Sequence, residues 1–418
     1  MHYAEHYRDV ATDLPGQQLP WLQTLRQRAE LQFSTGGFPS PREEEWRYTN
    51  ITPIEKKRFL PGRVQGPAPV DSTLIARHRL ADSWLLVFVD GLFSAEHSVL
   101  DDLPEGVNIL PMATALERCP EAVEPLLQQV AGRETHGFID FTTAYFRDGA
   151  FIQIADGVVL EKPVHILNMA TRPDGLAVLR HIIALEKNAE ASVIETYAGE
   201  PNVGALTTAV TEIALGENAS LEHTKLQAES SRSYHFGGIY ARQQAFARLR
   251  QHHAAFGGLI ARTEIHSHLG KGAECELNGL FLASGRHHLD THTLIRHTEP
   301  NASSREHYRG IASERGRGVF SGRIVVEKDA QKTDAEMNNR NLLLSEEAEI
   351  DSKPQLEIHA DDVKCAHGVT VGQLDAAAVF YLESRGIDQH AARNMLTFGF
   401  ANEMVEKIRH EGLRHQVR

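Results

Sequence analysis

The chain has 418 residues, of which 24% are charged, and its formal net charge is −13 at pH 7 with neutral histidines. This length allows about three domains with a substantial core, and the acidic balance argues against a broad nucleic-acid-binding surface. The three cysteines, Cys119, Cys275 and Cys365, are widely spaced, which argues against a disulfide framework and favours a reducing compartment.

Residues 1–21 lack the basic start and apolar run of a secretion signal, and the apolar run 84–89 is too short to span a bilayer. We therefore expect a soluble, cytoplasmic protein with no nucleic-acid or membrane partner.

The N-terminal part of the chain is mixed but rich in helical patterns. Apolar spacing predicts an amphipathic helix over residues 19–33, and the Ser-Pro and glutamates of residues 40–45 predict a second helix start. An Asp-Gly pair at the centre of the apolar stretch 84–93 predicts a short hairpin. Residues 117–133 return to helical spacing. We expect an N-terminal helix-rich domain over residues 1–145.

The middle of the chain, residues 146–372, carries a repeat. Short apolar pieces alternate with polar turns, and an alanine recurs at one place in the pattern. These alanines are Ala189, Ala219, Ala273 and Ala348, with Ala247, Ala302 and Ala330 as weaker members. Their separations of 30, 28, 26, 29, 28 and 18 residues lie in the range of solenoid repeats. Because stacked units extend one common core, we predict a mainly β fold, a parallel β-helix or related β-solenoid. A sandwich of hairpins is the alternative.

Residues 373–418 again have helical spacing and predict a C-terminal helical domain. A first candidate helix around Tyr381 ends at Gly386, and a second apolar stripe follows. The stripe consists of Met395, Phe398, Phe400, Met404, Val405 and Ile408. Such stripes most often pack into a core.

A cysteine and a histidine two residues apart, Cys365 and His367, form the main candidate site. If residues 357–367 are extended, as their alternation allows, one face of the strand carries several metal-ligating groups. The side chains on that face are then Glu357, His359, Asp361, Cys365 and His367. Thiolate, imidazole and carboxylate suit a soft or borderline metal such as iron or zinc.

The alternative for this pair is simple packing, because free cysteines are usually buried as small hydrophobes. The pair supplies two ligands where a closed zinc site needs four, and the sequence contains no C-x-x-C pair. Two ligands would suit a subunit interface at which a second protein supplies the rest.

Histidines are concentrated in one stretch of the predicted repeat. The nine positions are His252, His253, His266, His268, His287, His288, His292, His297 and His307. His266 and His268 share a strand face, a spacing found in metal sites, but no further ligands can be assigned nearby. We expect these histidines to be solvated on the exterior of the solenoid.

Three stretches resemble a known family. ADDVKCAHGVTVGQLD at residues 360–375, followed by VFYLESRGI at 379–387, closely resembles the C-terminal signature of the SufD family, scaffold subunits of the SUF iron–sulfur cluster assembly system. EEEWRYTN at 43–50 resembles the family's N-terminal signature. TAYFRDGAFIQIADGVVLEKPVHIL at 143–167 resembles its entry into the central domain. Matches at the start, middle and end imply that the family covers nearly all of the chain.

The resemblance implies a right-handed parallel β-helix and a non-catalytic scaffold role. It implies pairing with SufB through the β-helix ends, docking of the SufC ATPase on the C-terminal helices, and a homodimer as an option for the isolated chain. Cys365 and His367 match the family's interface positions, so they are implied candidate ligands for a transient iron–sulfur cluster or iron. No cofactor is expected to stay bound to the isolated chain.

Other activities are less consistent with the sequence. No G-x-x-x-x-G-K-[ST] motif occurs, so ATPase activity is expected in SufC. A catalytic β-helix such as a polysaccharide lyase is the rival class, but the acids Asp361 and Asp362 are adjacent and would face opposite ways on a strand. A third interpretation is a purely structural adaptor in which Cys365 and His367 only pack.

Overall fold

Short strands separated by tight polar turns stack into two sheets. A computed structural model describes residue 3 and residues 10–61, 69–127, 131 and 136–418. The strands are β1 Leu60–Pro61, β2 Trp84–Val89, β3 Leu92–Phe93, β4 Val107–Pro111, β5 Ala150–Ile154, β6 Val164–Ala170, β7 Gly175–Leu185, β8 Glu190–Gly199, β9 Leu206–Leu215, β10 Ser220–Gln227, β11 Tyr234–Gln243, β12 Arg248–Ala255, β13 Ile260–Leu269, β14 Glu274–Ala283, β15 His288–His297, β16 Ser303–Ala312, β17 Arg317–Val326, β18 Asp334–Leu343, β19 Glu349–Ile358 and β20 Lys364–Gly372.

Helices flank the strands at both ends of the sequence. They are α1 Pro20–Gly36, α2 Thr52–Lys56, α3 Ser72–His78, α4 Met112–Arg118, α5 Pro120–Val123, α6 Gly137–Tyr145, α7 Ala376–Ser384, α8 Gln389–Val405 and α9 Glu411–Val417.

Each full turn of the solenoid contributes one strand to each sheet. From β5 onward the odd-numbered strands form sheet A, which ends in β19, and the even-numbered strands form sheet B, which ends in β20. Neighbouring strands within this part of each sheet are parallel and in register. The result is a β-solenoid of about eight turns, which confirms the predicted fold class. The β2 and β4 strands of the N-terminal region extend sheets B and A, respectively.

Alternate side chains of each strand point into the space between the sheets, which we call the interior. On β10, Leu221 packs into the main apolar core, while His223 and Lys225 occupy the next inward positions. Register continues each row from turn to turn, so that Val193, His223 and Gln251 are paired positions on β8, β10 and β12. The interior therefore contains rows of stacked side chains, some apolar and some polar.

The repeated alanines mark the turns that lead into sheet B, with one correction. Ala189, Ala219, Ala247, Ala273 and Ala302 are buried immediately before strands of that sheet, and Ala330 is buried four residues before β18. Ala348 instead precedes β19 of sheet A, and Ala360, which is 30 residues after Ala330, continues the series. The short separation of 18 residues therefore came from including an alanine at a turn of the other sheet.

Most of the predicted N-terminal elements are present. The helix expected at 19–33 is α1, and the expected hairpin is formed by β2 and β3, with Asp90 and Gly91 at φ values of 50° and 81°. The second helix start yields only a 3₁₀ turn at Glu44–Trp46. The helical stretch at 117–133 is interrupted between α4 and α5, and its residues 128–130 and 132–133 lie outside the described residues.

The N-terminal region lies on the outer face of sheet A. The rings of Phe138 on α6 and Phe236 on β11 stack with centroids 3.9 Å apart. We call residues 43–49 the N-terminal strap. The strap continues across this face as far as β19, the last strand of sheet A, where Glu44 and Lys353 form an ion pair at 2.5 Å.

The C-terminal helices lie on the outer face of sheet B. Met404 and Val405 of α8 pack against Leu280, Ile311 and Leu342. The predicted break between helices occurs at Gly386, which has a φ of 88°, and the side chain of Asp388 caps α8 by accepting the Ala391 N–H at 3.0 Å. In the described residues, no helix is long and apolar enough to cross a membrane.

The prediction that the histidines are solvated is wrong for five of the nine. His252, His253, His268, His292 and His297 are buried. His253 and His297 occupy inward positions, and His252 lies beneath α8 beside Met404. The two sheets enclose His253 and His297, whereas segments outside the solenoid cover His252 and His292, the latter through Glu45.

Candidate functional site

The solenoid ends in two strands that lack a neighbour on one side. In the described part of the chain, β19 is paired only with β17 and β20 only with β18. Side chains at inward positions of these strands are consequently exposed, with Ile358 at 43% and Val371 at 46% of their full accessible area. An uncovered sheet edge offers backbone N–H and C=O groups to another chain. We call this surface the open end.

Both predicted site residues lie at the open end, on the inward face of β20. Cys365 is paired in register with Ala335, and His367 with Met337. Ala335 and Met337 are buried members of the main core, so Cys365 and His367 extend two rows of interior side chains by one turn. The structure thus brings the two residues to the same face of one edge strand.

The two side chains differ in their environment. Cys365 is half-buried and packs against the core, whereas His367 is exposed. Burial raises the pKa of the Cys365 thiol, and the Asp334 carboxylate raises it further. The thiol is therefore protonated at neutral pH until a metal or a cation displaces its proton.

The other groups predicted for the same face are placed elsewhere. Residues 359–363 turn the chain from sheet A to sheet B, so residues 357–367 are not one extended strand. Glu357 points outward from β19 and pairs with Arg323 at 2.7 Å. His359 and Asp361 lie in the turn. That prediction was wrong because strand-like alternation in the sequence continues through a turn that ends the strand.

A polar network fills part of the interior, and sequence reasoning missed it. Glu195 accepts hydrogen bonds from Tyr197 and Thr211, each at 2.8 Å, and lies 2.9 Å from Nε2 of His223. Burial opposes ionisation of Glu195, but the bond to His223 and the nearby positive charges outweigh it and hold the pKa of that carboxyl below its usual value. The ammonium of Lys225 lies 4.9 Å from the Tyr197 ring centroid.

A second acid in the same network is also paired. Glu229 lies 2.8 Å from Nδ1 of His235 and accepts a hydrogen bond from Thr207 at 2.6 Å. Burial lowers the pKa of Lys225 to about 8. The available sequence signal was the strand at 220–227, in which histidine and lysine occupy the same alternating positions as Leu221. The network balances its charges internally, which fits a structural role.

A second polar cluster, on the outer face of sheet A, fastens the N-terminal strap. The guanidinium of Arg262 lies 3.7 Å from the Trp46 ring centroid, donates to the Glu45 carbonyl at 2.7 Å, and pairs with Glu264 and Asp290 at 2.8 Å each. The strap is thereby fixed on β13 and β15 through one buried cation.

The C-terminal helices carry an exposed apolar surface. The accessible fraction is 71% for Phe380, 57% for Tyr381, 53% for Met395 and 50% for Phe398. These residues lie on α7 and α8. Met395 and Phe398 belong to the predicted apolar stripe but do not pack into a core. Met404, Val405 and Ile408, from the same predicted stripe, are buried against sheet B. We call the four exposed residues the helical apolar patch.

Two family models match consecutive parts of the chain. Residues 1–166 match the family model of the SufBD protein N-terminal region, and residues 167–400 match that of the SUF system FeS cluster assembly SufBD core domain.

Relatives match over most of their length. The chain is 33% identical to the iron–sulfur cluster assembly protein SufD of Escherichia coli over 389 residues, covering 91% of this chain and 88% of that protein. It is 31% identical over 401 residues to a SufBD family protein of Synechocystis, covering 91% and 86%. It is 24% identical over 424 residues to SufD of Bacillus subtilis, covering 96% and 93%.

The solenoid, its flanking helices and these matches define a protein of iron–sulfur cluster assembly. The chain belongs to the SufBD family, and its sequence is similar to SufD along nearly its whole length.

Proposed function

We propose that the chain is a non-catalytic scaffold subunit that pairs with SufB and binds the SufC ATPase during iron–sulfur cluster assembly. The observation that carries this proposal is the open end, where two strands with one free edge each expose inward-facing side chains. A second solenoid can cover such an end by pairing with its edge strands. SufB is the partner that the family suggests.

Within this complex, Cys365 and His367 contribute ligands for a nascent cluster or for iron, which is cargo and not a resident cofactor. The pair supplies one sulfur and one nitrogen, both suited to iron. SufB would supply the remaining ligands across the interface. His367 is the stronger candidate because its ring is exposed, whereas Cys365 packs against the core.

The helical apolar patch is the proposed docking surface for SufC. Exposed aromatic side chains are typical of protein–protein contact surfaces. Phe380→Asp and Phe398→Asp should abolish co-elution with SufC. Leu31→Asp is the matched control, since Leu31 is 64% exposed on α1 and far along the chain from the patch. Equal binding by all three variants would contradict this assignment.

The deciding experiment for the site is reconstitution of the chain with SufB and SufC, followed by measurement of complex mass, iron and sulfide. His367→Ala should form a complex of normal mass that contains little iron and sulfide. His415→Ala is the control, because His415 is an exposed histidine on α9. A His367 variant that accumulates cluster normally would favour the purely structural adaptor.

Without partners, the open end can also be covered by a second copy of the chain. We propose a homodimer for the isolated protein, to be tested by light scattering coupled to size exclusion. Titration with SufB should convert the dimer into the heterocomplex.

A further inference from the structure

A groove of about 400 Å³ lies between the N-terminal strap and the outer face of sheet A. Its floor includes His266 on β13, Leu294 on β15 and Ser321 on β17. Glu43 and Glu45 of the N-terminal strap line the opposite side. The volume lies within the range of ligand-binding pockets.

The cations that border the groove are already paired with acids of the chain. Arg262 is held by Glu264 and Asp290 at 2.8 Å each. Arg323 pairs with Glu357 at 2.7 Å. These guanidinium groups complete the protein's own network, so an anionic ligand would have to compete with three carboxylates.

Two acidic side chains that line the groove can still accept further hydrogen bonds. Glu43 uses one carboxylate oxygen to accept the Ser40 N–H at 2.8 Å, and the side chain of Glu45 is 54% exposed with a 3.4 Å contact to Nδ1 of His292. His266 lines the groove as well, with its Nδ1 buried below the surface and without a hydrogen-bond partner among the residues the structure describes. Burial lowers the pKa of His266 to about 4, so its ring is neutral at pH 7.

Carboxylates on the wall above a neutral imidazole and a hydroxyl suit a cation that is rich in N–H donors. A guanidinium fits best, because its planar array of five N–H groups can bond two carboxylates at once and pack its flat face on apolar side chains such as Leu294. An ammonium is a compact point charge and would use fewer of these acceptors.

The groove is continuous with the open end. Ser321 and Arg323 lie on β17, which is the neighbour of the last strand β19. Strands in a sheet are about 4.8 Å apart, so the groove begins about one strand spacing from the edge that a partner would cover. The Glu44–Lys353 ion pair at 2.5 Å joins the wall of the groove to that same edge strand.

We propose that this groove receives an arginine side chain of the chain that covers the open end, which is SufB under the proposed function. The inference rests on that proposed function and extends the interface from the strand edges onto the outer face of sheet A.

The first test uses the isolated full-length chain and argininamide as the probe. Titration should shift the ring resonances of His266 saturably in NMR spectra of histidine-labelled protein. Glu43→Gln combined with Glu45→Gln should weaken binding at least about tenfold. Glu121→Gln combined with Glu124→Gln is the matched control, since it removes the same charge at two exposed positions in and just after α5, in the N-terminal region and away from the open end. Absence of saturable shifts, or equal weakening by both double variants, would overturn the inference.

The second test measures SufB affinity for the same proteins. The Glu43/Glu45 double variant should bind SufB about tenfold more weakly than the wild type, and the control double variant about as well as the wild type. Unchanged affinity of the Glu43/Glu45 variant overturns the groove while leaving the pairing with SufB intact. Failure of the wild-type chain to bind SufB overturns the proposed function itself.

Discussion

In the closed interior of the solenoid, Nε2 of His223 lies 2.9 Å from Oε1 of Glu195, and neither side chain reaches solvent. The two residues come from neighbouring strands of sheet B and occupy neighbouring interior rows. A buried pair of this kind contributes little when intact but is costly to break, because the remaining partner is left without compensation.

Replacing Glu195 by Ala should therefore destabilise the fold strongly. The change leaves His223, Tyr197 and Thr211 without their acceptor, and we expect the free energy of unfolding to fall by about 3–5 kcal/mol. Urea denaturation at pH 7 measures this. Glu217→Ala is the control, since Glu217 is half-exposed in a surface pair with Lys187 and should cost less than about 1 kcal/mol. If the two variants lost similar free energy of unfolding, burial of Glu195 would not explain the cost of removing it.

Glu306 should make stability fall as the pH rises. Its two neighbours in register are Leu277 and Met337, and its side chain is fully buried. Burial raises the pKa of Glu306 from 4.5 to about 7. The folded state then binds more protons than the unfolded state between those values, so stability is lost across this window, by about 3 kcal/mol in total.

The test compares the pH dependence of the free energy of unfolding in the wild type and in Glu306→Gln. The amide does not ionise, so the variant should lose less stability than the wild type between pH 5 and pH 8. Parallel profiles for the two proteins would show that Glu306 has an ordinary pKa in the folded state.

The interior network should tolerate only glycine at position 237, because it leaves no space for a Cβ atom there. A Cβ atom at this position would overlap Nζ of Lys225 and approach Nε2 of His235 to 2.8 Å. We expect Gly237→Ala to lower the free energy of unfolding by about 1–3 kcal/mol through forced repacking. Gly372→Ala is the control, because a Cβ atom there has no neighbour within 4 Å. Equal stability of the two variants in urea would refute the steric argument.

Arg262→Lys should release the N-terminal strap without unfolding the solenoid. Lysine cannot form the two ion pairs, the bond to the Glu45 carbonyl and the contact with Trp46 all at once. Trypsin cleavage after Arg47 should become about tenfold faster, since local opening would cost less free energy. Arg317→Lys, which alters a pair with Glu349 that is about half-exposed or more, should leave the rate unchanged. An unchanged rate in Arg262→Lys would assign the strap's attachment to its other contacts.

The repeat was readable from the sequence because each turn of a solenoid needs the same small residue at the same place. Ala189 and Ala219 are fully buried where the chain turns into sheet B, and a larger side chain would not fit there. Ala348 was misplaced in the series because a turn into sheet A looks the same in the sequence. The hairpin at Asp90 and Gly91 was readable because both residues adopt positive φ at low cost.

The candidate site was only partly readable. The spacing of Cys365 and His367 places them on one strand face, but only the register with Ala335 and Met337 shows that this face is the inward one. Glu357 was assigned to the same face, and the turn at 359–363 removes it. Local alternation describes side-chain direction within a strand and carries no information on where the strand stops.

The sequence by itself determined the β-solenoid, its approximate period, the C-terminal helices and the pairing of a thiol with an imidazole, because these follow from local periodicity and spacing. Only the tertiary structure decided which polar residues are interior, which apolar residues of the C-terminal helices stay exposed, and where the strap crosses sheet A. These properties depend on which distant segments cover a given face. His252 beneath α8 and Phe380 on the exposed patch show that burial is set by contacts between segments far apart in the chain.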